Sequence, residues 1–269
     1  MKKEIIKTFG VFIITAHLIG CQNSDPTVHR FTEFENELLL KSKKIALNEN
    51  YKHARLHFYD TLCILTNTPE SKQQIHLYNR NYEYITSSGL IGKGPGEITN
   101  PFLAVLDEKN KSVWMMDMGR KELLKFPVDS MLLNPNFLPQ KSIPIPNDYI
   151  IMQYSPYKDN MFTFSDLYTE NALISVIDQS GELVDSLQIK KSDKLTNLDN
   201  RNSNQIKLSF LYAKHPKKNI YALAYRFSDK IAIINSKGKL IAGAQGPDII
   251  NQKPEGSNKD LIRCYTDIH

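Results

Sequence analysis

A repeat of about 50 residues constrains the fold of this chain more than any other feature of its sequence. Short apolar segments recur at residues 62–67, 112–117, 161–166 and 219–224. Runs of this length, bounded by turn residues, are typical of β-strands. The sequence therefore predicts an array of similar β-rich units.

A hairpin is expected after each of these segments. The clearest copies, at residues 174–184 and 231–241, have an apolar strand, a four-residue turn and a second apolar strand. Each turn opens with Asp or Asn, which can hydrogen-bond nearby backbone, and closes with Gly, which accepts a positive φ. Looser copies are predicted at residues 75–85, turning at 79–81, and at residues 123–133, turning at 127–129.

A glycine-rich segment also recurs, at residues 92–97 and 243–248, about three repeat lengths apart. A unit of this length made of short strands is typical of a propeller blade. We therefore predict an all-β fold, a β-propeller of four-stranded blades. The blades are expected at about residues 52–100, 101–147, 148–205 and 206–255, with a closing strand at 42–47 and only the first strand of a fifth blade at 256–269.

The N-terminal residues 1–20 have the plan of a secretory signal peptide, with a basic start and an apolar run at residues 9–19. That run is too short to span a bilayer comfortably, since a spanning helix needs about 20 apolar residues. It ends in Leu18-Ile19-Gly20-Cys21, which resembles the bacterial lipobox. We predict acylation at Cys21, followed by a tether and linker at residues 21–41. The alternative is a cleaved secretory signal followed by an ordinary cysteine.

Two features together resemble a known family, the Bacteroidetes lipoproteins with a six-bladed, TolB-like propeller. One is the lipobox at Cys21, and the other is a Gly-x-Gly-Pro-Gly-Glu signature. The signature residues are Gly92, Gly94, Pro95, Gly96 and Glu97. The resemblance implies a cell-envelope lipoprotein whose propeller domain occupies residues 42–269, without an agreed catalytic constellation.

The chain departs from this family in its length. Six blades of about 50 residues are expected, whereas the sequence accounts for about four to five. We therefore predict an incomplete propeller, truncated at the C-terminus, whose terminal blades expose apolar faces and whose folding is marginal.

The same signature segment does not fit a P-loop, because no Ser or Thr follows Gly92-Lys93 and no helix follows it. We predict a tight turn between blades in which Glu97 accepts hydrogen bonds from backbone N–H groups. His53 and His57 have the spacing of two zinc ligands on a helix, but they lie where a strand is expected. A surface or core role is favoured for both.

No catalytic residue, metal ligand or cofactor site is predicted. A Gly-x-Ser-x-Gly nucleophile motif is absent from the sequence. Four aspartates recur at blade positions, where turn capping explains them better than a paired-carboxylate site. They are Asp107, Asp117, Asp166 and Asp178.

The formal net charge of +5 is spread along the chain, and the short lysine runs lack an aromatic stacking platform, so no nucleic-acid partner is expected. Cys63 lies in an apolar run and is predicted to be a buried free thiol; a disulfide with Cys264 is the alternative. The tyrosines between residues 149 and 225 are expected to pack mainly between blades, with some available for a recognition surface.

These features favour a lipid-anchored binding or scaffold protein over an enzyme. Its expected partners are a membrane, through Cys21, and an envelope protein or glycan. The expected location is the outer membrane, facing the periplasm. The alternative from another class is a propeller hydrolase or lyase with a metal in the central tunnel.

Overall fold

A computed structural model describes residues 27–30, 44–45, 47, 51, 54–68, 71–139, 141–158, 160–166, 173–188, 210–215, 217–225 and 229–246. The predicted signal peptide, Cys21, His53 and Cys264 lie outside these residues. So does the predicted strand of a fifth blade. Within the described part of the chain, no helix is both long and apolar enough to cross a membrane.

The described strands form four sheets, each built on an antiparallel meander of four consecutive strands. The first blade contains β2 (Arg55–Tyr59), β3 (Leu62–Thr66), β4 (Gln73–Asn79) and β5 (Tyr84–Leu90). The second contains β6 (Pro101–Asp107), β7 (Ser112–Asp117), β8 (Glu122–Pro127) and β9 (Ser142–Pro144). The third contains β10 (Ile151–Pro156), β11 (Phe162–Asp166), β12 (Leu173–Ile177) and β13 (Leu183–Gln188). The fourth contains β14 (Phe210–Lys214), β15 (Ile220–Tyr225), β16 (Lys230–Asn235) and β17 (Leu240–Gln245).

These sheets confirm the all-β fold and the repeat of four-stranded blades. The apolar segments that define the repeat are the second strand of each blade, β3, β7, β11 and β15. The two clearest hairpins are also confirmed. Asp178 Oδ1 accepts from the backbone N–H of Ser180 and Glu182, and Asn235 Oδ1 does the same for Lys237 and Lys239.

The hairpin predicted at residues 123–133 is wrong. After β8 the chain forms a short helix, α1 (Val128–Leu133), and the fourth strand of this blade comes only at β9. Val128 and Met131 have the i,i+3 spacing of one helix face, and both are buried in the core between blades one and two.

The closing strand predicted at residues 42–47 is also wrong. Lys44, Ile45 and Leu47 lie outside any strand. Instead β1 (Thr27–Arg30), within the predicted linker, pairs in parallel with β17 and adds a fifth strand to the sheet of blade four. Leu47 packs on blade one against the cluster that contains Cys63, so its apolar side chain is part of that cluster.

The core lies between blades, as a propeller requires. One cluster joins blades one and two and includes Ile64, Leu77 and Phe126. A second joins blades two and three, where the Trp114 and Phe162 rings meet edge to face with centroids 4.7 Å apart. Cys63 is 3% exposed, which confirms the predicted buried thiol.

Candidate functional site in the central cavity

The first strands of the four described blades, β2, β6, β10 and β14, line a common cavity of about 510 Å³. Sites for small ligands range from about 300 to 1,000 Å³, so the cavity has the size of a binding site. Its walls come from residues 55–58, 103–106, 152–156 and 211–214, together with Glu108.

The chain builds this cavity from strand edges. Within the described sheets, each first strand pairs on one side only, with the second strand of its own blade. Such an edge leaves backbone N–H and C=O groups available for other partners. Two side-chain amides use these groups to join neighbouring blades: Gln153 bonds both the N–H and the C=O of Tyr212, and Asn67 bonds Phe102 O and Ala104 N–H.

The two tyrosines of the cavity wall are structural anchors. The Tyr154 hydroxyl donates to Leu103 O at 3.0 Å and lies 2.8 Å from Trp114 O, while the Tyr212 hydroxyl donates to Thr163 Oγ1 at 2.8 Å. Burial raises the pKa of both phenols above the ordinary value of 10.0, so both stay protonated. This confirms that these tyrosines pack between blades.

Two lysines and an aromatic ring stand at one mouth of the cavity. Lys158 Nζ lies 5.0 Å from the centroid of the Tyr157 ring, and Lys214 Nζ lies 4.2 Å from it. Partial burial, and then the neighbouring positive charge of Lys158, lower the pKa of Lys214 from its ordinary value. We call Lys158 and Lys214 the lysine pair.

The sequence did not predict the lysine pair. Lys158 follows β10, Lys214 ends β14, and the fold brings them together because blades three and four are neighbours. One signal was available in the sequence. Lys214 ends the first strand of blade four, and Tyr157 and Lys158 directly follow the first strand of blade three.

The glycine-rich signature lies between β5 and β6, at the opposite end of the blades. Glu97 Oε2 accepts from Gly94 N–H at 2.6 Å, and Arg120 Nη2 donates to Gly94 O at 2.7 Å. Gly96 has φ +74°, and a Cβ placed on it would lie 2.8 Å from Pro139 O of blade two. The segment thus connects blades one and two and does not line the cavity.

Asp117 caps the turn that follows β7 and also holds the end of the connection that runs from blade one to β6. Its carboxylate accepts from the N–H and hydroxyl of Thr99, and from the N–H groups of Asn100, Gly119 and Arg120. Burial alone would raise the pKa of Asp117, but these hydrogen bonds outweigh it and lower the pKa below its ordinary value.

Turn capping is likewise confirmed for Asp107, which accepts from Asn110, and for Asp178. The side chain of Asp166 is outside the described part. His57 lies in β2 with Nε2 3.2 Å from Thr66 Oγ1. Among the described side chains, His, Cys, Asp and Glu form no group of three that could hold a metal ion.

Four-stranded blades around a shared cavity define the class of the protein as a β-propeller. The chain belongs to the DUF5128 family, described as a 6-bladed beta-propeller, whose family model matches residues 48–264. Among curated proteins, none matches the chain significantly.

A solved structure with a TM-score above 0.5 shares the fold. A protein from Bacteroides fragilis, described as exported, superposes with a TM-score of 0.54 at 13% identity, over 82% of this chain and 60% of that one. A member of the DUF4221 family from Bacteroides vulgatus superposes with a TM-score of 0.46 at 10% identity, over 71% of this chain and 57% of that one. The chain therefore spans about three fifths of the length of these structures.

Proposed function

We propose that this protein is a lipid-anchored binding or scaffold protein of the bacterial cell envelope, with a TolB-like propeller. Its anchor is an acyl group on Cys21, and it engages an envelope protein or glycan at the face that carries the lysine pair. The proposed location is the outer membrane, facing the periplasm. The lipobox-like Leu18-Ile19-Gly20-Cys21 segment supports the anchor.

The cavity between the first strands is the observation that carries the binding function. Its wall contains exposed apolar side chains, with Leu56 50% and Phe58 61% exposed, beside polar groups such as Ser155. An apolar wall with a few polar groups is typical of recognition sites.

Site-specific photo-crosslinking in cells tests the binding function. A photoreactive phenylalanine analogue at position 58 should crosslink an envelope component, because this side chain faces the cavity. The matched control is the same analogue at position 133, where Leu133 is 86% exposed on α1, away from the cavity wall. Absence of a crosslink at position 58, or the same product from both positions, would contradict the proposal.

The anchor is tested separately by metabolic labelling with an alkyne fatty acid. Wild type should be labelled and Cys21→Ala should not, whereas Cys63→Ala should keep the label because that thiol is buried. Labelling of Cys21→Ala would contradict acylation at this residue. Protease digestion of the protein on intact cells would contradict the periplasmic orientation.

A further inference from the structure

Among the described residues, the lysine pair places two positive charges together without a carboxylate that pairs with either. Within the described ranges, neither Lys158 nor Lys214 makes an ion pair with a carboxylate. Their Nζ atoms lie 5.0 and 4.2 Å from the centroid of the same ring, so they are no farther apart than the sum of these distances. Two like charges at such a separation repel each other, and an anion that contacts both ammonium groups would offset this repulsion.

The surroundings extend this positive charge. In an antiparallel blade, the turn after every first strand lies at the same end of the channel. Lys111, Lys217 and Lys218 belong to these turns and are exposed. Glu108 is the one carboxylate that the described residues contribute to the cavity wall, and it lies at the same mouth. Asp60 and Asp107 also lie at these turns, but six described lysines (Lys109 and the five named above) outnumber the three described carboxylates there, so the described charge at this mouth is positive.

The cavity sets the size of the ligand. Lys214 belongs both to the cavity wall and to the lysine pair. The rest of a ligand whose charged group binds the lysine pair can therefore extend into the cavity. A volume of about 510 Å³ accommodates a body of sugar size. The unpaired edges of the first strands offer backbone hydrogen-bonding groups along the wall.

We propose that the lysine pair, together with Tyr157, binds a phosphate monoester whose organic part enters the cavity. A phosphate monoester carries about −1.5 to −2 charges at neutral pH, which matches two ammonium groups. Lysine binds phosphate as a point charge and does not need the planar geometry of arginine. This inference rests on the proposed binding function of the same face. The phosphate belongs either to a free small molecule or to the end of a phosphorylated glycan.

Calorimetric titration of the mature protein tests the inference with four probes: inorganic phosphate, glucose 6-phosphate, glucose, and a pentasaccharide with a terminal phosphate. Glucose 6-phosphate should bind at least about tenfold more tightly than glucose, and affinity should fall with added salt. Tighter binding of the pentasaccharide than of glucose 6-phosphate would identify a glycan end as the source. Failure of all phosphate-bearing probes to bind would overturn the inference.

Charge-neutralising variants locate the site. Lys214→Gln and Lys158→Gln should each weaken binding of glucose 6-phosphate about tenfold, whereas Glu108→Gln should strengthen it. Lys72→Gln is the matched control, because Lys72 is exposed in the turn after β3, at the opposite end of the channel. Thermal unfolding of each variant verifies that it is folded. Equal binding by wild type and Lys158→Gln would overturn the inference, while a crosslink at position 58 would still support the broader binding function.

Discussion

The side-chain amide of Gln153 bonds the backbone of Tyr212 as a neighbouring strand would. Its Nε2 donates to Tyr212 O at 2.8 Å, and its Oε1 accepts from Tyr212 N–H at 2.8 Å. The contact joins the first strands of blades three and four across the cavity wall. One residue thereby satisfies two edge groups that the regular sheet leaves unpaired.

Gln153→Leu should lower the free energy of unfolding by about 1–3 kcal/mol, because it leaves the N–H and C=O of Tyr212 without their partner. Urea denaturation monitored by fluorescence measures the change. Gln179→Leu is the matched control, since Gln179 is exposed in the turn between β12 and β13 and should change stability by less than about 0.5 kcal/mol. Equal effects of the two substitutions would contradict the assigned role.

Asp117→Asn should destabilise the protein by about 1–3 kcal/mol at neutral pH, because a buried carboxylate that accepts several hydrogen bonds is lost. The pKa of Asp117 is lower in the folded state than its ordinary value of 3.8. Its contribution is therefore fully present above pH 3.8 and is lost as the pH falls through the folded pKa.

The free energy of unfolding of wild type and of Asp117→Asn, measured from pH 7 down to the lowest pH at which both still fold, checks this contribution. The stability difference between wild type and Asp117→Asn should shrink in acid. A difference that stays constant with pH would contradict the hydrogen-bonded carboxylate.

Gly96→Ala should destabilise by about 1–3 kcal/mol, because φ is +74° and the added Cβ would lie 2.8 Å from Pro139 O. Gly246→Ala is the milder control, since its φ is not in the left-handed region and its nearest contact, with Asp229, is 3.3 Å. Differential scanning calorimetry compares the two variants. A larger loss for Gly246→Ala would show that the signature turn does not need its glycine.

Tyr154→Phe should lower stability by about 0.5–1.5 kcal/mol, because the buried hydroxyl that reaches Leu103 O and Trp114 O is removed. Tyr149→Phe is the matched control, because Tyr149 is only half-buried and packs through its ring against Phe164. Chemical denaturation of both variants gives the comparison. Tyr154→Phe as stable as wild type would argue against an anchor between blades two and three.

The sequence predicted what is encoded locally. In the second strands of the blades, apolar residues either alternate with polar ones or follow one another over a few positions. Turns such as Asp178–Gly181 contain both the capping side chain and the glycine that the turn needs. These features depend on neighbours within one hairpin, so their pattern is visible without the fold.

The sequence missed what depends on distant pairing. β1 pairs with β17 across most of the chain, and nothing in residues 27–30 indicates a partner at residues 242–245. The lysine pair likewise arises from two blades meeting. In blade two, α1 replaced an expected strand because Val128 and Met131 bury one helix face against the neighbouring blade.

With the acyl anchor proposed at Cys21, the pairing of β1 with β17 would also limit the distance between the propeller and the membrane. Thr27 begins β1, and five residues separate it from Cys21. A fully extended chain spans at most about 3.3–3.6 Å per residue, so this connection reaches only about 20 Å. An acyl group on Cys21 would therefore hold blade four close to the lipid surface by its outer edge. This connection is shorter than the thickness of a bilayer. The propeller would therefore lie against the membrane and could not move far from it.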